Sequence, residues 1–216
     1  MLKITEKKRR DFQTVSLLFF FISFIGWVFE TCVCLIQSGA PCDRGFLFLP
    51  ICPVYGAPVC LIYLFFGRPS DGLFYRLSFK RKGKSVGQVR VLNKLISILA
   101  YFLTACIIAT LAELFVGLVL ESKGVSLWSY GGGEYSYKGI ISLPVSLLWG
   151  VLISLVTQFV LPKVERGIGK IPKRLRGVLT IFLWLATGVD FLFNWWYVTQ
   201  TGGHFDVVEY FKRGVK

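Results

Sequence analysis

Long apolar runs alternate with short polar, mostly basic stretches from one end of the chain to the other. A helix needs about 20 apolar residues to cross roughly 30 Å of hydrocarbon. On that measure the pattern predicts five spans, at about 14–36, 46–67, 93–120, 140–161 and 177–199. They make a single transmembrane domain over 14–199, between a basic N-terminal segment, 1–13, and a C-terminal tail, 200–216. The predicted fold class is all-α, a polytopic membrane helical bundle. The second run is unusual, because Pro50, Pro53, Gly56 and Pro58 interrupt its first half. Proline removes a backbone donor and blocks a regular helix. At membrane depth a broken backbone is tolerated only where protein buries it or where it lines a wet cavity. A broken or re-entrant entry to the second span is therefore expected.

Polar positions inside the runs recur at helical spacing. Ser23, Gly26 and Glu30 share a face of the first span, and Ala105, Ala109 and Glu113 share one of the third. The fourth span carries Ser146, Gly150, Ser154 and Gln158, and the fifth Ala186, Asp190 and Asn194. Small residues let helices approach closely. The acids need another reason, since an ionised carboxylate within a span costs about 3 kcal/mol or more unless it is paired or wet. Glu30, Glu113 and Asp190 all fall at the midplane or in the same half of their spans, and Arg44 enters from that side. Two readings follow. In one, Arg44 is the cation of an outward polar pocket, and Glu30, Glu113, Asp190 and Asn194 line a substrate path. In the other, the acids form an ion-pair cluster that only fixes helix packing, as in a scaffold or regulatory protein.

A third reading is an intramembrane enzyme using the acids as acid–base groups. No Ser/His/Asp set and no HExxH pattern is present, and no histidine lies in a span, so a non-enzyme is expected. No metal site or cofactor is expected either. Cys32 and Cys34 lack a second ligand pair for zinc. Gly83-Lys84-Ser85 ends like a phosphate-binding loop, but Ser78 stands where that motif needs a glycine.

Composition supports the membrane assignment. Of 216 residues 54% are hydrophobic and 17% charged, more apolar surface than a soluble domain of this length can hide. The net charge of +13 sits almost wholly between the apolar runs, so the partner it implies is the lipid bilayer, with no nucleic acid. Of the 25 lysines and arginines, 19 fall in the N-terminal segment and in the stretches 68–94 and 163–176. The positive-inside rule then puts the N-terminus in the cytoplasm and the C-terminus outside. The first run, from Thr14 to Ile36, is too long for a signal-peptide core and has no cleavage site after it, so it is read as a retained span. Cys32, Cys34, Cys60 and Cys106 lie in apolar runs and read as small hydrophobes, whereas Cys42 and Cys52 could pair. Trp128, Tyr130, Tyr135 and Tyr137 read as an aromatic belt.

Several stretches also resemble a known family. Phe24-Ile25-Gly26-Trp27-Val28-Phe29-Glu30 is similar to its opening F-I-G-W-x-x-E, and Arg44-Gly45-Phe46-Leu47 through Pro50, Pro53, Tyr55 and Gly56 to its R-G-F-L-Y-G-P-x-x-P-x-Y-G. Glu113 and Glu121 stand where it has acids, Trp128-Ser129-Tyr130 resembles its W-x-Y, and Gly139, Ser146, Trp149 and Gly150 match its later motif. The family is the Putative ABC-transporter type IV permeases of the CmpB type, small multi-span proteins found chiefly in Gram-positive bacteria. The chain departs from it at Ser129, Lys138, Ile140 and Ser142, where the family has Asp, Asn, Arg and Cys. The resemblance implies a permease subunit in the cell membrane, powered by a separate ATPase that docks on 68–94 and 162–177. It also implies a homo- or hetero-oligomer, since five spans are few for a complete pathway.

Overall fold

The computed structural model describes residues 11–39, 45–70, 72–78 and 88–203. Arg44, Cys42, His204 and the basic stretch 79–87 lie outside them.

The first apolar run forms α1 (Phe12–Ser38). Asp11 caps it, its carboxylate accepting the Thr14 amide at 3.3 Å. Gly39 ends it at φ 67°, a left-handed conformation that glycine adopts without strain. The interruption expected in the second run is present. Residues 45–52 are irregular, and α2 (Pro53–Phe66) begins on a proline, where the missing N–H leaves no helical bond unmade. Its 14 residues extend about 21 Å, short of a full crossing.

After a short helix, α3 (Leu73–Ser78), comes the long α4 (Gln88–Glu121). A small antiparallel hairpin follows, β1 (Ser136–Tyr137) paired with β2 (Ile141–Ser142). The chain then runs through α5 (Leu143–Leu155), a π-helical turn (Val156–Val160) and α6 (Leu161–Lys170). The π turn carries the helix past Pro162, with the Leu161 N–H bonding the Val156 carbonyl five residues back. The stretch 162–177, expected as a loop, is thus helical as far as Lys170, and α7 (Lys173–Thr201) starts three residues later. Lys163, Arg166 and Lys170 are exposed along α6, while Leu161 and Ile168 are buried.

Four stretches are long and apolar enough to cross a membrane, Phe12–Ser38, Val91–Glu121, Leu143–Lys170 and Lys173–Thr201, with α2 as a shorter apolar helix among them. The result is an all-α membrane bundle. The short helix α2 sits at its centre. Val59, Cys60, Ile62 and Tyr63 pack with Leu18 and Ile22 of α1, Tyr101, Ala105 and Ala109 of α4, and Trp149 and Ile153 of α5. Close approach depends on missing side chains. A Cβ on Gly56 would overlap the Ser23 hydroxyl and come within 2.7 Å of the Phe19 carbonyl, and one on Gly150 would overlap Cys106 and Phe102. Outward faces are apolar. Leu103, Ile107, Leu111 and Phe115 form an exposed stripe on α4, and Val178, Ile181, Leu185, Val189 and Leu192 one on α7. Lipid covers such stripes at no hydrophobic cost.

The cysteine expectation needs correction. Cys34 is disulfide-bonded rather than a simple hydrophobe, and its partner lies outside the described residues. Cys52 is buried and outside any disulfide, so it is not half of a bridge.

Candidate functional site

Glu30 and Glu113 lie about 12 Å from the C-terminal ends of α1 and α4, each eight residues in. Both helices end on the same side of the bundle, where 45–52 and the 122–142 loop also lie, and both acids line one cavity of about 120 Å³ there. Tyr55, at the start of α2, donates its phenol proton to Glu30. Glu113 accepts two bonds at one oxygen, from the Trp149 indole at 2.7 Å and the Tyr130 phenol at 3.0 Å. The Tyr55 ring meets the Trp149 ring edge to face, with centroids 5.0 Å apart, so the groups holding the two acids also pack on one another.

Each position follows from local sequence. Gly26 leaves the space into which the Tyr55 ring fits, because a Cβ there would meet the ring's Cδ2 at 2.5 Å and its Cγ at 2.6 Å. Trp149 points inward because Gly150, Ser146 and Ile153 put that face of α5 against α4. Tyr130 is brought over Glu113 by the hairpin. Its amide bonds the Gly139 carbonyl at 2.8 Å, and the neighbouring Trp128 indole bonds the Ile140 carbonyl at 2.9 Å. Burial, and the Glu113 carboxylate beside it, hold the Tyr130 phenol above the usual tyrosine range, so it remains a donor.

The remaining wall is mostly apolar and includes Gly45, Phe46, Pro53, Val54, Val116 and Leu127. Among the described residues no lysine or arginine lines the cavity. The second Glu113 oxygen, Oε2, is buried and has no hydrogen-bond partner. The described residues contain no group of three or more acids, histidines or cysteines able to hold a metal ion.

The other candidates sit elsewhere. Asp190, 8% exposed, accepts the backbone amides of Phe48 at 3.1 Å and Leu49 at 2.8 Å. Asn194 donates to the same carboxylate at 2.8 Å. The pair clasps the irregular 45–52 segment to α7 and does not line the cavity. The polar stripe of the fourth run faces neighbouring elements too. Ser146 accepts from Thr110 at 2.7 Å, and Gln158 bonds the amide and hydroxyl of Ser70 at 3.2 and 3.0 Å. Arg44, placed at the centre of the expected pocket, precedes the cavity-lining Gly45 in sequence but lies outside the described residues.

Sequence reasoning missed four contributors to the cavity and its acid contacts. Tyr55 and Trp149 enter there only as family-motif positions, and Trp128 and Tyr130 as part of an aromatic belt. Their signal is present, since each carries a polar tip that must find a partner when buried. Tyr135 and Tyr137, from the same belt, are exposed.

No curated protein and no solved structure matches the chain. The model of a protein family described as "Putative ABC-transporter type IV" matches residues 17–195, which takes in both acids, the interrupted second helix, the hairpin and most of α7. On that match the chain belongs to this "Putative ABC-transporter type IV" family, of the CmpB type.

Proposed function

We propose that the protein is the membrane-embedded permease subunit of a transporter, with the Glu30–Glu113 cavity on its substrate path. One observation carries the reading beyond the family. Two carboxylates share a cavity of about 120 Å³ whose wall is otherwise mostly apolar, and one of their oxygens is buried without a partner. A packing scaffold gains nothing from such an oxygen, because an unmade buried hydrogen bond costs about 1–3 kcal/mol. By the distribution of basic residues the N-terminus is cytoplasmic and the cavity end faces out. A separate ATPase would then meet the opposite end, at the loops after α2 and around α6, where Arg68, Lys163, Arg166 and Lys170 lie.

The test is a tagged pull-down from the native host in mild detergent, with mass spectrometry of what co-purifies. A stoichiometric ATPase is the expected result. A chain that is stable alone, with no ATPase at any detergent strength, overturns the ATP-driven reading. The second reading, a scaffold or regulatory protein, rests on the Asp190 clasp, where an intramembrane acid is fully used in holding a loop.

A further inference from the structure

The cavity is lined by two carboxylates, two phenols and the Trp128 indole in an otherwise mostly apolar wall. Its size limits the occupant. A cavity of about 150 Å³ takes benzene, so this one, at about 120 Å³, takes a ligand of about five heavy atoms or a few waters. Its chemistry limits the occupant further. A hard divalent cation needs six or more oxygen ligands, and two carboxylates amid apolar side chains do not make that shell. An anion would meet two acids and no described cation. Glu113 Oε2 lacks a donor, which an ammonium N–H supplies. The aromatic faces suit a cation with an apolar body, and Val54, Val116 and Leu127 suit that body.

We propose that the cavity between Glu30 and Glu113 binds a small alkylammonium group, with Glu113 Oε2 accepting an ammonium proton, Glu30 supplying the second negative charge, and the aromatic and aliphatic wall enclosing the alkyl part. This rests on the permease reading and names its substrate class. The same chemistry exists in a free organic amine and in the headgroup of an aminophospholipid.

The test uses the purified full chain in phosphatidylglycerol nanodiscs, with isobutylammonium as the probe. Tryptophan fluorescence reports occupancy, since Trp128 lines the cavity and Trp149 bonds Glu113. Isobutanol is the neutral control of equal size. Saturable isobutylammonium binding is expected, weakened at least tenfold in both Glu113→Gln and Glu30→Gln, with isobutanol weaker by a similar factor. Gln at 113 still offers an acceptor to Trp149 and Tyr130. If it does not yield a monodisperse protein, Glu30→Gln decides. Adding phosphatidylethanolamine separates the sources: competition with the probe marks a lipid headgroup, and its absence marks a free amine. No saturation, equal binding by isobutanol, or unchanged binding in the Gln variants overturns the proposal. So does binding that arises only in Arg44→Gln, which would make the chain's own guanidinium the occupant. Because binding is read on the chain alone, its failure leaves a co-purifying ATPase standing, and a missing ATPase leaves the binding result standing.

Discussion

Removing the Asp190 carboxylate should release the segment before α2. In Asp190→Ala the amides of Phe48 and Leu49 lose their acceptor, and Asn194 loses one of its two bonds to residue 190. Hydrogen bonds to a charged group contribute about 1.5–3 kcal/mol each. The two amide bonds are partly buried, so the lower figure applies, and together they hold the segment by about 3 kcal/mol. That energy converts to about a hundredfold in an opening equilibrium, at 1.4 kcal/mol per decade. Hydrogen–deuterium exchange on the chain in nanodiscs reads it directly. Peptides containing Phe48 and Leu49 should exchange about a hundredfold faster in Asp190→Ala, and the centre of α2, around Ile62, should change little. Asp190→Asn keeps one acceptor and should fall between. If protection of 48–49 drops less than about threefold in Asp190→Ala, the clasp is not what holds this segment, and the account of α7 as its anchor is wrong.

Three further outcomes follow from local geometry. Gly56→Ala puts a methyl on Ser23 and the Phe19 carbonyl, so α1 and α2 must separate at a cost of about 1–3 kcal/mol; thermal unfolding by size exclusion should show it, whereas Gly167→Ala, inside α6 with nothing within 4 Å, should leave stability unchanged or slightly raised. Lys138 holds φ 54° beside Gly139 at φ 71°, with the Ile140 amide bonded to the Tyr137 carbonyl at 3.0 Å, a turn that favours Asn-Gly. Lys138→Asn should therefore raise the melting temperature by about 2 °C, as left-handed strain worth about 1 kcal/mol is relieved and only an exposed 4.0 Å contact to Glu121 is lost. The Asp11 carboxyl is held below the usual carboxylate range by its bond with Thr14, against burial and with help from Arg176. A depressed folded-state value gives stability that is present above the unfolded pKa and lost as pH falls below about 4. Exchange at the start of α1 should rise across that window in the wild type and stay flat in Asp11→Asn, by under about 1 kcal/mol because half of the Asp11 side chain is in solvent.

The helical runs and the broken second span were legible because apolar length and proline act locally. The meeting of Glu30 and Glu113 was legible for a similar reason: each lies on the small-residue stripe of its helix, and such stripes face inward. The role of Asp190 was not legible. Its spacing with Ala186 and Asn194 shows that it faces protein, yet a stripe is the same whether it meets a cavity or two backbone amides 142 and 141 residues away. Tyr130 read as part of an aromatic belt because it stands among Trp128, Tyr135 and Tyr137 in one polar segment between spans. Only the fold of the 136–142 hairpin turns its hydroxyl toward Glu113. The disulfide of Cys34 was hidden for a related reason, since a thiol near the end of an apolar helix reads as a small hydrophobe unless the return path of the chain is known.

The cavity exists because α2 is short. A regular helix continued back from Pro53 would satisfy its own backbone and fill the space between α1 and α4. Pro50 and Pro53 prevent that, and the backbone must then find partners elsewhere. The partners come from different walls: the Cys52 amide bonds the Ser23 carbonyl of α1 at 2.9 Å, and the Phe48 and Leu49 amides bond Asp190 of α7. Phe46 packs its ring against Phe191 and Trp195 on the same helix. Gly45, Phe46, Cys52 and Pro53, held in this way, are also cavity wall. The two intramembrane acid sites are thus linked through one segment. Asp190 satisfies the broken backbone, the broken backbone leaves the space beside Glu30 and Glu113, and the family match encloses both ends of that link. On the permease role proposed above, the Asp190 clasp is a small set of bonds whose release would move one cavity wall without unpacking the α1–α2–α4 core.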